Sequence, residues 1–339
     1  MKNKVKPILF LVVIAVLCFT FTGTFASAEE QEVYLGGIPL GIGLAERGLI
    51  VTGYVDVITD EGAVCPARGS EILTNDVITK INGEDVIGAQ DFASLLQKSD
   101  GFVTLTVKRG ERELNFTLAP VTDSVTGLKK LGLTVKTGIT GIGTLTFILP
   151  NRRFGALGHG IVDADTGKTF DTDQGSVYSC NINGFRPASN GKAGELIGRF
   201  VNRLSPIGAI DACNAFGVYG KADKTMTNGL SKIALGSRKS VKTGKAQIYS
   251  TISGSKPKSY EIEIVKLQNQ KTPKEKSMLI RVTDRELLAE TGGILQGMSG
   301  SPIVQDGKLV GAVTHVLLSD GKLGYGLYID WMIPFAESR

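Results

Sequence analysis

The chain carries two histidines, His159 and His315, and one serine set among glycines in Gly297-Met298-Ser299-Gly300-Ser301-Pro302. A serine hydroxyl attacks an acyl carbon only when a base takes its proton, and histidine is the commonest such base. The attacked carbonyl also needs backbone N–H groups aimed at its developing oxyanion. The chain must therefore turn tightly beside Ser299. Gly297 and Gly300 permit that turn and the close approach of a substrate. By position, the N–H groups of Gly297 and Ser299 are the expected oxyanion-hole donors. Taken alone, the hexapeptide reads equally well as an ordinary turn between buried strands. His159 lies between glycines in Leu157-Gly158-His159-Gly160-Ile161, at an apparent loop edge, and reads as the base. His315 falls in the apolar run after the serine and reads as a packed strand residue. An acid is needed to hold the imidazole in its working tautomer. The choice lies among Asp163, Asp165, Asp171, Asp173, Asp211 and Asp284. The first two stand so near His159 that they are expected to serve the turn there.

These residues must be positioned by the elements around them. Pro302-Ile303-Val304 and Leu309 to Val316, joined by Asp306-Gly307, read as a hairpin with Ser299 at its entrance. From about residue 146 to the C-terminus the pattern is many short strands with frequent glycine turns, such as Ala246 to Ser250 and Tyr260 to Ile264. That pattern predicts β-barrels or a sandwich rather than βαβ units. Lys192 to Asn202 is expected to form a short helix. Residues 33–121 read as a small α/β module, followed by a boundary region and then the remainder, 122–339. In the module, Val77 to Ile81 is strand-like, Asn82-Gly83 is a turn, and Ala89 to Lys98 has helical spacing with Phe92, Leu95 and Leu96 on one side. Gly138, Gly141 and Gly143 do not match a dinucleotide-binding glycine pattern, and no long helix follows them.

Composition bounds the rest. The 339 residues suffice for two domains, and 42% hydrophobic content with 43 glycines is globular and turn-rich. The net charge of +5 is dispersed apart from a lysine-rich patch around Lys256 to Lys276. Aromatic residues do not interleave that patch, so it reads as a solvated loop and no nucleic-acid partner is expected. Four cysteines form no C-x-x-C pair, so no metal site is expected, and free buried thiols are the expected state. Residues 1–28 combine Lys2, Lys4 and Lys6, an apolar stretch from Ile8 to Phe21 and Ala26-Ser27-Ala28. They read as a signal peptide or a retained membrane anchor, with Glu29 onward exported.

Two resemblances extend this reading. Asn75-Asp76-Val77-Ile78 followed by Ile81-Asn82-Gly83 is similar to the PDZ signature of bacterial proteases. That likeness implies a peptide-carboxylate loop at Pro39-Leu40-Gly41-Ile42, where backbone N–H groups and a strand edge would capture a peptide. The Ser299 arrangement is that of trypsin-like serine peptidases. Gly158-His159-Gly160-Ile161 with Asp163, and Gly292-Gly293-Ile294 leading into the serine motif, closely resemble the stage IV sporulation protein B peptidase family of endospore-forming bacteria. The resemblance implies a mainly β chain: an N-terminal PDZ-like domain followed by a trypsin-like double β-barrel. It also implies an exported, membrane-associated serine endopeptidase without a cofactor. Its expected substrate is the regulator of a membrane-embedded metalloprotease, cleaved between the forespore and mother-cell membranes. That cut would lead to maturation of the late mother-cell sigma factor, and the enzyme would also process itself. The family's acid precedes the serine by a short distance, and Asp284, after the strand Met278 to Val282, matches it. Digestive relatives carry an aspartate before the nucleophile that pairs with a newly cut N-terminus. Here it is Met298, so that activation is not expected. An HtrA-like quality-control protease would place its PDZ module after the peptidase, and a silent PDZ scaffold would show a damaged triad. Neither feature is visible.

Overall fold

The computed structural model describes residues 31–163, 167, 169–170, 172–188 and 192–338. The expected leader lies outside these residues, as do Asp165 and Asp171. Among the described residues no helix is long and apolar enough to cross a membrane.

Strand β1 (Glu32–Leu35) leads into β2 (Pro39–Tyr54), which serves two bodies. In its first half Leu40, Ile42 and Leu44 are buried, while the glycines between them face the other way. This is the two-residue alternation of a strand facing a core. Past Gly48 the second half enters the α/β module, where Leu49 and Ile50 pair with β3 (Val77–Ile81). The module continues with α1 (Ala89–Lys98), β4 (Val103–Arg109) and β5 (Arg112–Leu118). Its core joins Leu49, Ile78 and Leu105 to Phe92 and Leu96 of α1. Asp76 is buried and takes two hydrogen bonds from Arg109, each 2.7 Å. Asn75 stands in the left-handed conformation, which asparagine tolerates, and Asn82-Gly83 makes the expected turn with both φ positive.

Strand β6 (Leu133–Ile148) returns along β2. Leu133 to Lys136 lie opposite Tyr54 to Ile50 in the module, and Gly138 to Thr144 lie opposite Ala45 to Pro39 in the next body. The module is therefore inserted within the β2–β6 hairpin. The division at residues 121 and 122 does not hold, because Pro39 to Ala45 belong to the peptidase body. Two sixteen-residue strands are long enough to cross from one core to the other.

The first barrel is completed by β7 (Arg153–Ala156), β8 (Gly175–Arg186), β10 (Gly208–Asn214) and β11 (Gly217–Ala222), with β9 (Glu195–Phe200) between β8 and β10 in the chain. Around it, β2 pairs with β6, β6 with β7, β7 with β11, β11 with β10, β10 with β8, and β8 with β2. The ring is closed and antiparallel throughout. Strand β9 instead forms an outer hairpin with residues Cys180 to Arg186. The helix expected over 192–202 is this strand. Pairing with β8 supplies the backbone partners that a marginal, glycine-containing helix would otherwise make alone.

Strand β12 (Lys232–Leu235) pairs with β1 and leads to a second barrel of β13 (Gly244–Ser250), β14 (Lys258–Leu267), β15 (Met278–Val282), β16 (Pro302–Gln305), β17 (Lys308–Leu317) and β18 (Asp320–Tyr328). This ring also closes: β13 to β14, β15, β18, β17, β16 and back to β13. Strand β12 meets β17 in parallel and ties the barrels together. A short helix, α2 (Arg285–Thr291), lies between β15 and β16, and α3 (Ile333–Glu337) ends the described chain. The expected class holds: a mainly β protein with a double-barrel body and one PDZ-like α/β module.

Candidate active site

Two loops, one from each barrel, meet at a single cleft. After β7 the chain passes through Leu157 and Gly158, both with φ near +70°, and delivers His159. Before β16 it turns through Gly297 and Gly300, both with φ of +95°, and delivers Ser299. A Cβ on Gly300 would lie 2.1 Å from the Thr144 carbonyl oxygen and 2.5 Å from the Leu157 nitrogen. Only glycine lets the serine loop press so closely on the histidine loop.

Thr144 of β6 holds both loops. Its N–H donates to the Ser299 carbonyl (3.0 Å), its hydroxyl donates to the Gly297 carbonyl (2.8 Å), and its carbonyl accepts from the Leu157 N–H (3.3 Å). Two residues on, the Thr146 hydroxyl donates to the Gly300 carbonyl at 2.8 Å. Met298 packs fully buried in the second-barrel core, and its sulfur accepts from the Leu295 N–H. It is a core anchor where digestive peptidases have a switch. The N–H groups of Gly297 and Ser299 make no hydrogen bond with a described residue, and both residues line the cleft.

The cleft has a volume of about 770 Å³. His159, Ser299, Thr314 and His315 line it beside apolar Ile142, Leu157, Ile294, Leu295 and Val316. The Ser299 hydroxyl donates to the Thr314 carbonyl at 2.8 Å, so in this resting geometry it points along β17. His159 Nδ1 stands 2.6 Å from the Gly160 carbonyl. A carbonyl only accepts, so Nδ1 carries the hydrogen and Nε2 is left with its lone pair. That is the tautomer a base needs. Burial lowers the pKa of His159, opposed by the Gly160 carbonyl and by the charge of Glu275.

The acidic residues are placed as follows. Asp284 does not reach His159: one carboxylate oxygen accepts from Leu287 N–H (2.9 Å) and the other from Glu261 N–H (3.2 Å). It caps the N-terminus of α2, a role that Asp followed by Glu286 in the first turn suits well. Asp211 pairs through both oxygens with Arg153 (2.6 and 2.9 Å). Asp173 is not a cleft residue. Asp163 is buried on the cleft wall, where its carbonyl closes a turn with Gly167 N–H and its carboxylate meets Lys136 Nζ at 2.6 Å. The turn joining β10 and β11 backs the His159 loop, since a Cβ on Gly160 would sit 3.3 Å from Asn214 O. That turn presents Asn214 and no acid.

His315 is more than a packed strand residue. It lies on β17 opposite Tyr325, lines the cleft, and its ring centroid is 4.9 Å from that of His159. Its buried Nδ1 makes no hydrogen bond with a described residue. Burial pushes its pKa down to about 4, helped by His159 and Lys276.

The expected carboxylate loop is not one. Leu40, Gly41 and Ile42 pair with Gly143, Ile142 and Gly141 on one side and with Ser179, Tyr178 and Val177 on the other. With both edges occupied, no backbone N–H is free for a ligand. The alternation of Leu40, Ile42 and Leu44 was the signal for a barrel strand. Over Leu133 to Lys136, by contrast, β6 pairs only with β2 among the described strands, on the side of the module where α1 packs. Among the described residues no group of three His, Cys, Asp or Glu side chains could hold a metal ion. Cys65 and Cys180 are free thiols.

The model of the family described as SpoIVB peptidase S55 matches residues 127–333, more than half of the chain. The chain belongs to the SpoIVB peptidase family. It is thus a serine endopeptidase, and the matched span runs through both loops of the cleft. No curated protein sequence matches the chain. Among solved structures it is similar to the active form of the Rv3671c protease from M. tuberculosis, at 14% identity over 57% of this chain and 70% of that one, with a TM-score of 0.29. The inactive Ser343Ala mutant of that protease from M. tuberculosis H37Rv aligns at 14% identity over 58% and 82%, TM-score 0.29. The PDZ domain of the SdrC-like protein from Listeria monocytogenes aligns at 19% identity over 27% of this chain and 90% of that one, TM-score 0.22. These likenesses are loose, and the double-barrel assignment stands on the two closed strand rings.

Proposed function

We propose that Ser299 is the nucleophile of this SpoIVB-type peptidase and His159 its base, with the N–H groups of Gly297 and Ser299 as the oxyanion hole. One observation carries this reading: loops from two separate barrels bring His159 and Ser299 to one cleft, beside two backbone N–H groups without an acceptor among the described residues. The Ser299 hydroxyl leaves Thr314 by rotation about χ1, between staggered wells, and turns toward His159 Nε2. Its oxygen attacks the scissile carbonyl carbon while Nε2 takes its proton. The tetrahedral oxyanion is held by the two N–H groups. Collapse breaks the C–N bond, and His159 returns the proton to the leaving amine. A water deprotonated by His159 then releases the acyl group and restores the serine. The Gly160 carbonyl fixes the His159 tautomer, the part that an aspartate plays in other triads.

Membership of the family supports a wider role as part of the same proposal. The enzyme acts outside the cytoplasm, at the membrane between forespore and mother cell. It cleaves a regulator of a membrane-embedded metalloprotease, and this cut leads to maturation of the late mother-cell sigma factor. It also cleaves itself. The test is intact mass over time for purified residues 29–339, wild type beside Ser299→Ala. Wild type is expected to shorten while Ser299→Ala stays whole. Equal shortening of both, or failure of a serine-directed phosphonate to label wild type, overturns the reading.

A further inference from the structure

The oxyanion loop borders a second groove. This groove, of about 500 Å³, shares Thr140, Gly141, Ile142, Gln296 and Gly297 with the cleft. From that common rim it runs onto the β9 hairpin, where it is lined by Arg199 and Arg203. The cleft is largely apolar around His159 and Ser299, whereas this extension is cationic.

The cationic end is built rather than incidental. The Arg203 guanidinium lies 4.6 Å from the centroid of the Phe200 ring. Phe200 in turn stacks on Tyr178, with centroids 5.6 Å apart. A Cβ on Gly41 would fall 2.6 Å from the Phe200 ring, so glycine at that point of β2 lets the ring rest on the barrel wall. The chain of contacts from barrel to Phe200 to Arg203 holds the guanidinium over the Phe200 ring at the groove. The acid lining the groove, Glu195, is engaged by Arg186 at 2.6 Å. Neither Arg199 nor Arg203 has a carboxylate partner among the described residues. A planar, always-charged fork beside an oxyanion hole suits a carboxylate, which it can bind through two parallel hydrogen bonds.

We propose that Arg199 and Arg203 form a subsite for an acidic side chain of the peptide substrate, within a few residues of the scissile bond on the Gly297 side. The enzyme would thereby select sequences with small or apolar residues in the cleft and Asp or Glu next to them. This rests on the serine-peptidase reading of the cleft. The chain's own segment Ala26-Ser27-Ala28-Glu29-Glu30-Gln31-Glu32 has that composition and supplies a probe.

Binding separates the subsite from the chemistry. Two labelled peptides spanning residues 22–36, one native and one with Glu29, Glu30 and Glu32 changed to Gln, are titrated into the Ser299→Ala protein by fluorescence anisotropy. The native peptide is expected to bind about tenfold more tightly, the usual scale of a hydrogen bond to a charged group. The difference should shrink in 0.5 M salt and fall to about one in the Arg199→Ala/Arg203→Ala double variant at an unchanged thermal midpoint. Equal binding of the two peptides, or a preference that survives in the double variant, overturns the subsite. So does a result in which the arginines serve only vesicles containing an anionic phospholipid. With Ser299 restored, the kcat/KM ratio of acidic to neutral peptide should fall in the same double variant. If wild type cuts neither peptide and takes up no serine-directed phosphonate while binding still discriminates, the Ser299 assignment fails and the subsite stands.

Discussion

The N–H of Thr144 donates to the Ser299 carbonyl at 3.0 Å and its hydroxyl donates to the Gly297 carbonyl at 2.8 Å. One residue of the first barrel therefore fixes the chain on both sides of Met298 in the second. The proposed oxyanion donors are the N–H groups of those same two residues, so their aim depends on Thr144. Thr144→Val keeps the backbone bond and the shape but leaves the Gly297 carbonyl without its donor. The expected cost is about 1–3 kcal/mol of stability in urea unfolding. We expect kcat to drop roughly tenfold or more with KM little changed, because a misaimed donor acts on the transition state. Thr144→Ser should recover most of both. A Thr144→Val enzyme with normal kcat would show that the loop holds its shape without this bond.

Asp284 offers a clean separation of capping from catalysis. As a cap it is replaced fairly well by Asn, which keeps one acceptor oxygen, and poorly by Ala, at about 1 kcal/mol. As the acid of a triad, Asp→Asn would cost about 10⁴ in kcat. The structure predicts Asp284→Asn within a few-fold of wild type in kcat/KM, and Asp284→Ala chiefly less stable. A collapse of kcat in Asp284→Asn, at unchanged stability, would return Asp284 to His159.

How much of this was legible in the sequence depends on whether the signal was local. Asn82-Gly83 and Asp306-Gly307 adopt the left-handed pairs their residue types favour, and Gly158, Gly297 and Gly300 mark the two functional loops because the backbone itself needs them. The Asp284 cap is also a local signal, in the order Asp-Arg-Glu-Leu followed by Gly292 with φ +75°, whereas the family resemblance points to a catalytic acid. The split of β2 between two cores was not legible, since nothing in one strand's alternation says which partners it meets. Thr144 and Arg203 were invisible for a similar reason. Their roles come from contacts 153 residues away in one case and from an aromatic stack in the other.

His315 should make stability depend on pH. Its folded pKa, about 4, lies below the ordinary value of 6.5, so in that window the unfolded chain binds more protons than the native one. Stability is therefore complete above about pH 6.5 and is lost as the pH falls toward 4. His159, also lowered by burial, adds in the same sense. Denaturant midpoints at pH 7.0, 5.5 and 4.5 should fall more steeply for wild type than for His315→Asn. Parallel curves would mean that His315 is solvated and unshifted. The same lowering should let kcat/KM hold at pH values where an ordinary imidazole base is already protonated.

The inserted module predicts which fragments fold. Residues 122–339 alone lack Pro39 to Ala45, so the first barrel would lose one of its six strands and leave β6 and β8 with open edges. That fragment should be aggregated or unfolded. Replacing residues 46–137 by Asn-Gly should do better. Ala45 and Gly138 are direct partners, and a two-residue turn of that type joins antiparallel strands at such a point. The replacement removes Lys136, so it should carry Asp163→Asn to avoid an uncompensated buried charge. Ile50 packs against the barrel core from the module side, and its loss should lower the melting point without abolishing the fold. We expect cooperative unfolding and phosphonate labelling at Ser299 from this short form, and neither from residues 122–339. Labelling of the 122–339 fragment would show that the barrel closes without β2.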